Sequence, residues 1–280
     1  MSEWVTLIEL DPEVRTLFVE GTRDQALLES FFRRRAPRLV VREISEIDFA
    51  GRRIESSPFC GGNRARAVAF SSVLSGAVPA DQYAACLIDA DCEPVHPFVT
   101  KVAPLYLTTY ASAHAGYVRQ ELIEDVARRA LNAPADSFDW DLLTEACLFA
   151  AAFRVMRYRL YPAAKPIDAS ALLIRKAGAV TISREEFALK FKMKNGHDVG
   201  RSAEQLLHEV LNIRAGMTGD PRKYINFHDF IAMFTYLLRL SGVLPAAFRH
   251  EHVEAVLYAA ADPNELADDA IFAALAAWGA

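Results

Sequence analysis

Two short apolar runs each stop abruptly at a carboxylate, and together they constrain the fold more than any other feature of the chain. Thr16-Leu17-Phe18-Val19 ends at Glu20-Gly21, and Ala84-Ala85-Cys86-Leu87-Ile88 ends at Asp89-Ala90-Asp91. Runs this short, bounded by turn residues, suit strands buried on both faces, as in a parallel sheet. After the first, Thr22-Arg23-Asp24-Gln25 reads as a capping box opening a helix over 23–34. Arg38–Ile44 is expected as a second strand, Gly61-Gly62-Asn63 as a sharp turn into a helix bearing Ala67, Phe70, Val73 and Leu74, and Tyr106–Thr109 as a fourth strand. Strands alternating with helices imply βαβ units, a mainly parallel sheet and helices on its faces.

Beyond about Ala111 the apolar spacing turns helical: 117–131, 140–161, 183–194, 202–213, 227–240, 251–260 and 265–278 are expected helices, several of them separated by prolines. A chain of 280 residues exceeds the usual size of one domain. The expected division is an α/β domain over 1–110 and an α-helical domain over 111–280, the latter a candidate for nucleic-acid and partner docking. With 52% hydrophobic and 24% charged residues, disorder is excluded as the dominant state. The N-terminal residues lack the pattern of a signal peptide and no apolar run is long enough to span a membrane, so a cytoplasmic, non-membrane protein is expected. The four cysteines, Cys60, Cys86, Cys92 and Cys147, form no CxxC pair and are expected to be structural or incidental.

Net charge is −5, yet the charge is segregated. Between Arg154 and Arg201 eleven Lys and Arg face four acids, a local balance of +7, whereas the residues from Glu251 onward carry six acids and no Lys or Arg. A basic stretch in an acidic chain can follow a phosphate backbone, although long charged side chains solvating helix faces account for it equally well. Within it Arg175, Lys176, Lys192, Lys194 and His197 are the candidate nucleic-acid contacts. Asn195-Gly196 reads also as an ordinary turn ending a helix.

In open parallel sheets, ligands collect outside the carboxyl ends of the strands, where Glu20 and Asp89 would sit. Asp89 and Asp91, two residues apart, can converge on one side if extended geometry persists that far. Each acid alone reads as a mundane loop residue. Together, Glu20, Asp89 and Asp91 are hard oxygen donors suited to Mg²⁺ or Mn²⁺, and they are the candidate catalytic residues. Asp24 is either a supporting ligand or a helix-start acid favoured by the macrodipole.

At Leu17-Phe18-Val19-Glu20-Gly21-Thr22-Arg23-Asp24 and Leu87-Ile88-Asp89-Ala90-Asp91 the chain resembles the TOPRIM fold, shared by topoisomerases, primases and nucleases of the OLD type; the resemblance covers roughly residues 14–110. It implies that Glu20, Asp89 and Asp91 hold a divalent metal and that Glu20 assists proton transfer. The whole length, with Leu107-Thr108-Thr109-Tyr110-Ala111-Ser112, Asn195-Gly196-His197-Asp198 and a helical tail near Trp278, is similar to compact TOPRIM proteins paired with ABC-type ATPases in bacterial anti-phage systems. That implies a metal-dependent endonuclease of DNA or RNA, transfer RNA included. It would be a toxic effector controlled by an ATPase partner, with self-association left open. The chain departs from the pattern after the third strand, where Thr109 and His114 stand in a neighbourhood that tends to contain acids. A non-catalytic TOPRIM-like binding subunit of an ATPase complex and a small phosphotransfer enzyme stay open as alternatives.

His250, Glu251, His252 and Glu254 lack a recognised ligand spacing and are expected at the solvated surface. His208-Glu209 fails the HExxH pattern, and no Walker A loop, nucleophile elbow or GxGxxG is present.

Overall fold

The computed structural model describes residues 2–49, 54, 60–77, 80–91, 93–97, 103–134 and 137–280. In chain order, α1 (Ser2–Leu10) precedes β1 (Arg15–Val19), α2 (Thr22–Phe32), β2 (Leu39–Glu43), α3 (Gly62–Leu74), a short α4 (Ala80–Tyr83), β3 (Ala84–Ile88) and β4 (Leu105–Leu107). There follow α5 (Gln120–Asp125), α6 (Trp140–Leu160), the strands β5 (Leu173–Lys176) and β6 (Ala179–Ile182), α7 (Arg184–Asn195), α8 (Ala203–Ala215), α9 (Phe227–Leu240), α10 (His250–Ala260) and α11 (Ala270–Trp278). The chain forms two compact units: Met1–Glu93 with Pro97–Gly116 and Pro263–Ala280, and Pro94–His96 with Tyr117–Asp262.

The first unit is built on a sheet of order β2-β1-β3-β4 in which every pairing is parallel. β1 and β3 are central, and their apolar runs are buried on both faces, as expected. One face carries Phe18, Cys86 and Ile88 against Phe70 and Leu74 of α3. Phe18 lies between Trp4 of α1 and Phe70, edge-on to both, with centroid separations of 5.5 and 5.1 Å. Such pairs add about 0.5–1.5 kcal/mol to the burial of the rings.

α2 begins one residue earlier than its capping box requires. Gly21 is the N-cap, with no side-chain hydrogen bond, and Gln25 turns its amide to Glu29 and to the carbonyl of Val41. The expected Thr22–Gln25 box is therefore absent. Thr22 already lies inside the helix and cannot serve as the extended residue such a cap needs.

The segment after Pro263 completes this unit. Phe272 of α11 is buried against Phe31 of α2, with ring centroids 5.6 Å apart. Arg35 stacks over Phe31 and donates to Asn264 Oδ1, and Trp278 Nε1 donates to the carbonyl of Gln82 at 3.1 Å. Gly279 packs so close to the start of β2 and the connection before it that a Cβ there would lie 2.7 Å from Leu39 Cβ and 3.0 Å from Ala36 Cβ.

The second unit is helical apart from the antiparallel β5–β6 hairpin, whose turn places Ala177 and Gly178 at positive φ. Its centre is α6, begun by Asp139 accepting from the amide of Leu142 and buried along most of its length. Phe149 and Phe153 of α6 pack on Phe187 and Phe191 of α7, and Ser202 and Gln205 form a reciprocal capping box at the start of α8. Cys60, Cys86 and Cys147 are buried, and Cys92 lies outside the described residues. Among the described residues no helix is long and apolar enough to cross a membrane.

Candidate functional site

Because all four strands of the first sheet run parallel, their carboxyl ends share one edge. Glu20 follows β1, Glu43 ends β2, Asp89 follows β3 and Thr108 follows β4, so the local order of the sequence places polar groups from four strands there. Glu20 Oε1 accepts two hydrogen bonds, from the backbone N–H of Asp89 at 2.8 Å and from Arg64 Nε at 2.9 Å. Arg64 Nη1 donates to Asp91 Oδ2 at 2.5 Å. One guanidinium thus bridges carboxylates that leave two different strands. Beside it, Asn63 Nδ2 donates to the main-chain oxygen of Glu20 at 2.6 Å and to Glu43 Oε1 at 3.2 Å.

Gly61 and Gly62 make this possible. Gly61 is extended and Gly62 takes φ +58°, a left-handed conformation that favours glycine, so the chain turns sharply into α3 and brings Asn63 and Arg64 to the sheet edge.

Asp91 also has positive φ, +44°, and its N–H donates to the carbonyl of Ala111 at 2.8 Å. Extended geometry therefore ends before Asp91, and a turn, not strand alternation, carries its carboxylate to Arg64. Asp89 Oδ1 accepts from the N–H of Ala113 at 3.3 Å. The amide of Ala90 donates to Thr108 Oγ1, which in turn donates to the carbonyl of Tyr110. The strand-end loops of β3 and β4 are thereby tied together.

Asp24, in the first turn of α2, pairs with His114: Oδ1 and Nε2 are 3.2 Å apart and both side chains are largely buried. In the neighbourhood after β3 where the resemblance leads one to expect acids, His114 presents an imidazole to Asp24. Thr109 turns to Asp269 of the C-terminal segment, 2.7 Å from Oγ1 to Oδ1, and Asp269 caps α11 by accepting from Ile271 and Phe272.

The electrostatics follow from burial and crowding. Burial is the largest influence raising the pKa of Glu20; Asp91 adds to it, while the charge and hydrogen bond of Arg64 and the amide of Asp89 act against it. Asp89 is pushed well above the usual carboxylate range by burial first, then by Asp24, Glu20 and Asp91, with relief from Arg64. For Arg64, burial opposes the charged form, yet Asp91 and Glu20 outweigh it and the guanidinium is held more firmly protonated.

The donor set is therefore rich in hard oxygen and short of positive charge, the chemistry that suits Mg²⁺ or Mn²⁺. Its arrangement serves the guanidinium instead. Among the described residues no three His, Cys, Asp or Glu side chains are grouped as a metal ion requires. Glu20, Asp89 and Asp91 fit such an ion in kind, and Arg64 stands among them.

The candidate nucleic-acid contacts all lie in the second unit. Arg175 and Lys176 are exposed on β5, and Arg175 borders a cavity of about 480 Å³ together with Asp139 and Ser241. Lys192 is half-buried and Lys194 exposed near the end of α7, the latter donating to the carbonyl of Pro166 at 2.7 Å; His197 is exposed in the following turn. Asn195 is a packing residue: its buried amide bonds both backbone groups of Lys165 and the carbonyl of Phe191. Glu254 is buried and accepts from Tyr258, so that part of the His250–Glu254 group is not solvated surface.

Sequence reasoning missed Arg64 and Asn63. A usable signal was present: an arginine in the first turn of a helix opposes the macrodipole and calls for an anionic partner. No family model matches the chain, and no curated protein matches it.

Proposed function

We propose that this chain is a TOPRIM-type, divalent-metal-dependent nuclease that cleaves phosphodiester bonds of DNA or RNA. The observation that supports it is the meeting of carboxylates from the ends of β1 and β3 on a single cation, Arg64, at the edge where parallel sheets bind ligands. In this reading Glu20, Asp89 and Asp91 would hold Mg²⁺ or Mn²⁺, with Asp24, backed by His114, in support. Bound there, the ion would neutralise charge developing on the phosphate and make an attached water more acidic. By the resemblance, Glu20 would also assist proton transfer at its carboxylate. Arg175, Lys176, Lys192, Lys194 and His197 would contact the polynucleotide backbone without reading bases. By its resemblance, the chain would act in the cytoplasm as the toxic effector of an anti-phage system, restrained by an ABC-type ATPase partner.

Incubating the chain with Mg²⁺ or Mn²⁺ and DNA, messenger RNA or transfer RNA should give cleavage that Glu20→Ala and Asp89→Ala each abolish. Cleavage that survives both substitutions would rule the assignment out.

One observation favours a second reading. If Arg64 is a permanent replacement for metal, the chain is a non-catalytic subunit that docks an ATPase, and capture of that partner would be indifferent to Glu20→Ala.

A further inference from the structure

We infer that Arg64 is a built-in counter-cation of the carboxylate cluster, a guanidinium that must leave Glu20 and Asp91 before a divalent ion can be held there. This rests on the metal-dependent reading above and concerns how that same site is regulated.

Three features support it. Arg64 spends separate donors, Nε and Nη1, on carboxylates of different strands, 2.9 and 2.5 Å away, and its side chain is only 12% exposed. The two oxygens it engages belong to Glu20 and Asp91, which in the reading above would hold the ion, and Glu20 Oε1 already accepts a second hydrogen bond from Asp89. An ion and the guanidinium would therefore compete for the same electron pairs.

The position of Arg64 is also costly without those acids. It lies in the first turn of α3, where the helix dipole disfavours a cation, and no acid of that turn offsets it. Finally, a guanidinium does not deprotonate in proteins, so the arginine cannot give up its own charge to make way for an ion. At neutral pH a competing cation, or a new partner for the arginine, must displace it. The resting site is thus charge-compensated and closed to metal at low concentration, and it loads when a divalent ion outcompetes a monovalent side chain.

The test is Mn²⁺ binding to the full chain, followed by the electron paramagnetic resonance of the free ion, in wild type, Arg64→Gln, Arg64→Lys and Arg64→Gln combined with Glu20→Gln. Removing one unit charge beside a divalent ion should tighten binding by roughly tenfold or more in Arg64→Gln. Adding Glu20→Gln should abolish the gain. Arg64→Lys, which keeps the charge but loses the two-armed bridge, should fall between wild type and Arg64→Gln. Mn²⁺ should also raise the melting temperature of Arg64→Gln more than that of wild type, because the ion replaces the cation that was removed.

Glu20-dependent binding in wild type that is equal to or tighter than in Arg64→Gln would overturn the inference and leave the metal reading standing. Absence of Glu20-dependent binding in both proteins would overturn the two together. Should Arg64→Gln not fold, Arg64→Lys decides: affinity no greater than wild type refutes competition.

Discussion

Truncating Phe272 to alanine tests whether the segment after Pro263 is an integral part of the site-bearing unit. The ring is 1% exposed, packs on Phe31, and sits three residues after the cap that Asp269 provides. Deleting a buried phenylalanine costs about 3–5 kcal/mol through lost transfer energy and the cavity left behind. That is a large part of the roughly 5–15 kcal/mol that holds a domain folded. For a unit of this size the melting transition should fall by on the order of 10–20 °C. Calorimetry would measure the fall, and hydrogen exchange would locate it. Peptides over α2, over 84–91 and over 105–113 should all lose protection, because Asp269 also holds Thr109 in the loop after β4. Were α11 an appendage, protection would change over 263–280 alone and the transition of the sheet would stay put; that result would refute the reasoning.

The raised pKa values of Glu20 and Asp89, caused chiefly by burial, imply that the metal-free folded state binds protons that the unfolded chain releases. Stability should therefore rise as pH falls from neutrality toward the ordinary carboxylate range, the reverse of a salt-bridged acid, and Asp89→Asn should flatten that slope in thermal melts taken with a chelator. Asn195→Ala leaves both backbone groups of Lys165 without their partner and should cost about 1–3 kcal/mol in denaturant titrations; if His197, not Asn195, is the residue that matters in this turn, His197→Ala will leave stability unchanged and weaken nucleic-acid binding. Replacing Arg175, Lys176, Lys192 and Lys194 with glutamine should weaken binding of any sequence alike and lower its salt dependence by up to about one unit of slope per phosphate contact. An unchanged slope would remove these residues from the interface.

The parts of the fold that could be read beforehand are those decided by local chemistry. Ala84–Ile88 is too apolar and too short to be anything but an interior strand, and Phe227–Leu240 keeps its spacing for four turns and ends where expected. Glu20 and Asp89 were legible because strand ends in a parallel sheet have a known use. What escaped depends on approach between distant residues. Arg64 is 44 residues from Glu20, and only the fold of α3 against the sheet joins them. The β5–β6 strands are four residues each, with an Ala-Gly turn in place of the stronger Asn-Gly signal. The apolar face of α11 announces burial without saying against what, and its partner Phe31 on α2 lies more than two hundred residues away.

That discontinuity bears on the order in which the molecule comes into being. During synthesis, all the residues of the second compact unit, Pro94–His96 and Tyr117–Asp262, emerge before 263–280 exist outside the ribosome. The sheet carrying Glu20, Asp89 and Asp91 is made before that unit but completed after it, with Phe31 and the loop at Thr109 awaiting Phe272 and Asp269. A chain with the chemistry proposed here would thus be without its completed carboxylate edge until residues 263–280 have been made and docked, surrounded meanwhile by RNA.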